Sequence, residues 1–227
     1  MAEVGAVLVH GLWHGGWAWD DVRARLDAAG VPSVAVELPL TSLEDDVAAT
    51  LATLDQFGGP AVLVGHSYGG AVVTAAGAHP HVRHLLYLAA FALAEGESVR
   101  RARPDLDIPP TGLGEALRFS ADGMQVSVDP ALATGVFYAD APADAAAAAV
   151  ARLRPVHRSV FRGVPATIGW RHTPSTYVVC ADDRAVHPDL QRAMAQRATT
   201  RYEWPGSHSP ALARPADIAT LIVSLTT

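Results

Sequence analysis

The run Ala61-Val62-Leu63-Val64, followed by Gly65-His66-Ser67-Tyr68-Gly69-Gly70 and then Ala71-Val72-Val73-Thr74-Ala75-Ala76, constrains this chain more than any other stretch. It reads as a buried strand, a sharp turn and a helix, with a serine at the apex. Glycines permit a backbone turn that a Cβ would obstruct. A serine held out on such a turn above a sheet edge is placed to meet a carbonyl group. The pattern predicts a serine nucleophile, and with it a hydrolase.

The rest of the chain repeats the strand–helix rhythm. Gly5–Val9 is a continuous apolar run, as expected of a strand buried on both faces. Residues 17–29 read as a helix that stops at Gly30, and Ser33–Val36 as a second strand. Ser42 is the expected N-cap of a helix whose first turn carries Glu44, Asp45 and Asp46, and Gly58-Gly59 closes it. Further strands are expected at 84–89, 176–180 and 200–204, and a last helix at about 215–225. Strands alternating with helices imply an α/β fold with a mostly parallel sheet flanked by helices.

Residues 94–174 break the rhythm. They hold Arg100-Arg101, many prolines and an alanine-rich stretch from Asp144 to Arg154, with no clear buried strand. A structureless loop of this length is rare in a compact domain. The organisation expected is a core of residues 1–93 and 175–227, with 94–174 inserted as a small helical cap over the carboxyl edge of the sheet.

A serine hydroxyl needs a base to take its proton, and the base needs a carboxylate to hold its tautomer. In a parallel sheet such groups belong in loops after strand carboxyl ends. Asp182 and Asp183 follow the strand that ends at Cys180, and His208 follows the last strand in Pro205-Gly206-Ser207-His208. The nine other histidines lie elsewhere, so His208 is the expected base. Either aspartate fits the spacing. The oxyanion of the reaction needs two N–H donors. Tyr68, next after the serine, supplies one, and the glycine-rich turn His10-Gly11-Leu12-Trp13-His14-Gly15-Gly16 supplies the other through Leu12.

The turn from His10 to Trp17, the elbow around Ser67, Tyr177-Val178-Val179-Cys180-Ala181-Asp182-Asp183-Arg184 and Gly206-Ser207-His208 together resemble the α/β-hydrolase fold family. The resemblance is to the branch of plant methyl esterases, salicylate-binding esterases and hydroxynitrile lyases, and above all to its small bacterial hydrolases. It extends into the cap through Phe137-Tyr138-Ala139-Asp140 and Ala151-Arg152-Leu153-Arg154-Pro155. It implies that Asp183, the second acid of the pair, completes a triad with Ser67 and His208. Lyases of the branch carry a threonine after the first histidine of the oxyanion turn and a lysine after the catalytic histidine. Gly11 and Ser209 stand at those places, and the chain has no lysine at all.

These readings converge on a carboxylic ester hydrolase without cofactor or metal, acting through an acyl-enzyme on a small aryl or alkyl ester, a methyl ester or a lactone. Trp13, Phe91, Phe137, Tyr138, Phe161 and Trp170 are expected to line an apolar pocket under the cap, with core packing the competing role for each. The alternatives are a ligand-binding relative with little or no turnover and a pathway-specific lactonase or lyase. The absence of lysine excludes Schiff-base chemistry and a P-loop. A net charge of −6 and the lack of any basic run argue against nucleic acid. The lone Cys180 excludes an intrachain disulfide, and Met1-Ala2-Glu3-Val4 have no signal-peptide character. No apolar stretch is long enough for a membrane span. A cytoplasmic protein is expected. The resemblance allows a homodimer, but no residue pattern compels one.

Overall fold

The computed structural model describes residues 3–227. Met1 and Ala2, which open the expected core segment 1–93, lie outside the described residues. The elements run β1 (Gly5–Val9), α1 (Asp20–Ala28), β2 (Ser33–Val36), α2 (Leu43–Phe57), β3 (Ala61–His66), α3 (Gly69–Ala76) and β4 (Val82–Leu88). After these come α4 (Leu113–Ala116), β5 (Leu117–Phe119), β6 (Gln125–Val128), α5 (Pro130–Phe137), α6 (Ala143–Ala151) and β7 (Val156–His157). The chain closes with β8 (Ser175–Cys180), α7 (Pro188–Ala195), β9 (Thr200–Trp204), α8 (Pro210–Ala213) and α9 (Pro215–Thr226).

Six strands form one sheet in the order β2-β1-β3-β4-β8-β9, and every neighbouring pair is parallel. The continuous apolar runs follow from burial on both faces. Val7, Val9, Leu63, Leu85, Tyr87, Tyr177 and Val179 enter one core layer with Leu54 of α2, Val72 of α3 and Met194 of α7. The alternate residues Ala6, Leu8, Val62, Val64, Leu86, Leu88 and Val178 enter the opposite layer, with Val22 and Leu26 of α1 and Ile218 and Ile222 of α9. The period-two side-chain alternation of each strand thus supplies both faces at once.

Local signals act where the sequence places them. The Ser42 hydroxyl accepts the Asp45 N–H at 3.1 Å and caps α2. Gly58 ends that helix at φ 70°, in the left-handed region that glycine enters without strain.

The segment from 94 to 174 departs from the helical expectation in one respect. Beside α4, α5 and α6 it contains a three-stranded antiparallel sheet, β5-β6-β7. Its strands have two to four residues, too short to show an apolar alternation in sequence. Val126, Val128 and Val156 anchor it to the main core, while Phe119 stays largely in solvent. Among the described residues no helix is long and apolar enough to cross a membrane.

Candidate active site

Because the strands are parallel, the loops after β1, β3, β8 and β9 all open on one edge of the sheet. Ser67 follows β3 directly, at φ 54°. That left-handed conformation costs a non-glycine residue about 1–3 kcal/mol, and the surrounding backbone holds it. The Ser67 N–H donates to the Leu88 carbonyl at 3.1 Å, and its own carbonyl accepts from Gly70 and Phe91 at 3.0 Å each. The turn requires glycine at 69, where a Cβ would stand 2.5 Å from the Val9 carbonyl oxygen.

Two loops away, His208 Nδ1 lies 2.7 Å from Asp183 Oδ2, and both side chains are buried. With Nδ1–H committed to the carboxylate, Nε2 carries the lone pair and can accept a proton. Asp183 is itself fixed. Its Oδ1 accepts the N–H groups of Ala185 and Val186 at 2.7 and 2.9 Å, and its Oδ2 also accepts Gln191 Nε2 at 2.7 Å. Asp182, the other aspartate of the pair, is exposed and accepts the Gly206 N–H at 2.9 Å. The geometry joins Asp183, not Asp182, to the histidine.

Ser67 and His208 line one small cavity of about 40 Å³, together with Leu12 and Tyr68. Neither the Leu12 nor the Tyr68 N–H donates to another of the described residues. Among the aromatic residues expected there, Trp13, Phe91, Phe137 and Phe161 line the cavity. Tyr138 and Trp170 do not. The Tyr138 hydroxyl bonds His14 Nε2 at 2.7 Å. Trp170 Nε1 donates to the Leu93 carbonyl at 2.8 Å, in a segment held close to α3 where Gly169 passes Gly77. The remaining lining comes from Val99, Leu113, Ala185 and Val186.

The turn after β1 is clamped to the cap. Trp13, at φ 65°, donates from Nε1 to the Val126 carbonyl at 3.0 Å. Its own carbonyl accepts the Arg154 N–H at 2.9 Å, and Arg154 Nε donates to the His14 carbonyl at 3.0 Å. A Cβ on Gly11 would come within 2.9 Å of Ser67 Cβ, so this turn presses against the serine.

Three more buried histidines surround the site as neutral imidazoles. Burial drives the pKa of His10 down to about 3 and that of His14 to about 4, and drives His66 well below the ordinary value. Each has a defined partner. His10 lies between the Gly11 carbonyl and the Leu38 N–H, and His14 Nδ1 donates to the Leu12 carbonyl at 2.7 Å. His66 Nε2 donates to the His208 carbonyl at 2.7 Å, tying the elbow to the loop that carries His208.

Asp46 of α2 is a further buried carboxylate, next to the elbow. It accepts the Tyr68 hydroxyl at 2.5 Å and the Leu40 N–H at 2.7 Å, and burial lifts its pKa to about 6. Asp46 and Gln191 carry no chemical signature in sequence, because each looks like an ordinary polar residue of a helix. Among the described residues, no cluster of three or more His, Cys, Asp or Glu side chains is placed to hold a metal ion.

A six-stranded parallel sheet with a serine on the strained turn after its third ordered strand, capped by an insertion after β4, defines a hydrolase-type α/β scaffold. The chain belongs to the alpha/beta hydrolase family, whose family model matches residues 6–221. It is similar to the alpha/beta hydrolase nvfD of Aspergillus novofumigatus (strain IBT 16806), at 27% identity over 98% of this chain and 96% of that protein. Methylesterase 17 of Arabidopsis thaliana is 23% identical over 96% of this chain and 89% of its own, in keeping with the branch that the motifs resemble. Among solved structures, a pyrethroid hydrolase from Sphingobium faniae JZ-2 shares the fold with a TM-score of 0.85 at 22% identity, over 98% of this chain and 97% of the other.

Proposed function

We propose that this protein is a serine-dependent carboxylic ester hydrolase. The observation that carries the reading is the convergence on one cavity of Ser67, held at φ 54°, and His208, bonded to Asp183 at 2.7 Å. The methylesterase relative supports the same class of reaction.

Ser67 Oγ attacks the ester carbonyl carbon while His208 Nε2 takes its proton. Asp183 holds the imidazole in the required tautomer and stabilises the imidazolium. The N–H groups of Leu12 and Tyr68 receive the negative charge on the carbonyl oxygen. The tetrahedral intermediate collapses, the C–O bond to the alcohol breaks, and His208 returns the proton to the departing alkoxide. Water, deprotonated by His208, then attacks the acyl-enzyme. The acid leaves and Ser67 recovers its proton. Small aryl, alkyl or methyl esters and lactones are the substrate class.

The test is labelling by a fluorophosphonate, read by peptide mapping, together with p-nitrophenyl acetate turnover. Label on Ser67, and loss of both label and turnover in a folded Ser67→Ala variant, support the reading. Undiminished turnover in Ser67→Ala overturns it.

A further inference from the structure

The cavity at Ser67 leaves about 40 Å³, enough for little more than the reacting ester group. Next to it, the cap carries an open groove of about 370 Å³. Leu117, Phe119, Val126 and Phe161 make its apolar surface, and Arg100, Arg158 and Arg162 stand among them. The two spaces share a wall. Phe161 lines both, Val99 of the inner cavity is followed in the chain by Arg100 of the outer groove, and Trp13 of the inner cavity bonds the carbonyl of Val126 in the outer one.

The charge at this groove is unbalanced. No acidic residue lines it. None of its three guanidinium groups pairs with a carboxylate of the described residues, whereas nearby Arg118 pairs with Asp129 at 2.6 Å. Among the described residues, the one hydrogen bond that the three guanidinium groups make is a long one, from Arg158 to the Gly123 carbonyl at 3.4 Å. Phe119 leaves 65% of its surface in solvent in the same groove. An exposed apolar surface on a soluble domain marks a binding surface. A guanidinium presents a planar fork of donors that matches a carboxylate.

Resting on the ester-hydrolase reading above, we infer that the substrate is an ester with a remote carboxylate. Its apolar arm lies in the groove formed by Leu117, Phe119, Val126 and Phe161, and its carboxylate pairs with Arg100, Arg158 and Arg162. The ester carbonyl enters the inner cavity past Phe161 and meets Ser67. Because the three arginines are exposed, the attraction weakens with added salt.

The experiment has a catalytic arm and a binding arm. Mono-p-nitrophenyl suberate is compared with p-nitrophenyl methyl suberate, which differs only in having its acid capped. The acid is expected to show about tenfold higher kcat/KM at low salt, carried by KM. The ratio falls at high salt, and it falls toward one in the double variant Arg158→Gln/Arg162→Gln, whose fold is checked by circular dichroism. In the binding arm, monomethyl suberate and dimethyl suberate are titrated into Ser67→Ala by calorimetry. Tighter binding of the acid, by about the same factor, supports the groove without any need for turnover. Equal affinity of the two, or an acid preference untouched by the arginine substitutions, overturns the inference. Acid-selective binding by a protein that turns over no p-nitrophenyl ester keeps the groove and overturns the hydrolase reading instead.

Discussion

Gln191 Nε2 lies 2.7 Å from Oδ2 of Asp183, the same oxygen that faces His208. Gln191 is fully buried, and its own amide is anchored at both ends: Oε1 accepts the Cys180 N–H at 2.9 Å and Nε2 also reaches the Val186 carbonyl at 2.8 Å. It therefore fixes the carboxylate in place from α7. Gln191→Ala is expected to lower kcat for p-nitrophenyl acetate by about 10- to 100-fold with KM little changed, because a displaced carboxylate misorients His208. Steady-state kinetics on the folded variant measure this; a rise in KM at constant kcat would assign Gln191 to substrate binding instead.

The two neighbouring aspartates are expected to separate cleanly. In Asp183→Asn the amide oxygen stays with the Ala185 and Val186 N–H groups, so an NH2 faces His208 Nδ1. The imidazole then takes the wrong tautomer, and kcat falls by a factor on the order of 10⁴. Asp182→Asn keeps an oxygen for the Gly206 N–H and leaves kcat within about threefold, since the contact is exposed. The reverse order of effects would move the acid to Asp182.

Tyr138 and Asp140 follow α5 and grip both working loops. Tyr138 bonds His14 in the turn after β1, and Asp140 accepts the Ser207 N–H at 3.0 Å beside His208. Tyr138→Phe leaves His14 Nε2 buried without a partner. A loss of about 1–3 kcal/mol in unfolding free energy is expected, with a lower kcat as the Leu12 N–H loses its fixed position. Urea unfolding and kinetics on the same preparation check both parts. An unchanged denaturation midpoint would show that the hydroxyl contributes nothing to the clamp.

The buried histidines predict acid sensitivity. Their folded-state pKa values lie below the ordinary 6.5, with His10 at about 3 and His14 at about 4. Between these values and 6.5 the unfolded chain binds protons that the native state does not. Stability from these groups is complete above about pH 6.5 and is lost as the pH falls toward 4, by up to about 1.4 kcal/mol per pH unit for each histidine. Chemical denaturation across this range should show the decline, and His10→Gln should make it shallower.

Asp46 works in the opposite sense. Its pKa is raised from 3.8 to about 6, so its relative stabilisation is present below pH 3.8 and is lost as the pH rises through 6. The stability of the native chain relative to Asp46→Asn is therefore expected to fall between about pH 4 and pH 7. Parallel melting curves at several pH values test this, and a difference that does not vary with pH would show that Asp46 does not titrate in this range.

Much of the architecture was legible because its signals are local. The strand Gly5–Val9 and the stretches 61–64 and 177–180 are continuous apolar runs, since a strand covered on both faces needs no polar alternation. The serine turn was legible from its glycines. The short strands of the cap were not, since pairs such as Phe119 with Val126 are formed across a hairpin and leave no periodic pattern. The role of Gln191 in α7 was not legible either, because its contacts to β8, Asp183 and Val186 form only in the fold.

The amino-acid sequence by itself determined an alternating α/β chain, a serine on a glycine-bounded turn and a histidine after the last strand, because these depend on neighbours in the chain. Spacing left Asp182 and Asp183 equivalent, and only the resemblance pointed to Asp183. The tertiary structure shows Asp183 meeting His208, and it alone decided that Gln191, His66 and Asp46 hold the surrounding pieces and that Trp170 stands apart from the cavity. Those choices depend on distances between segments far apart in sequence. They are made by hydrogen bonds and close packing that form only once the sheet has brought its loops to a common edge.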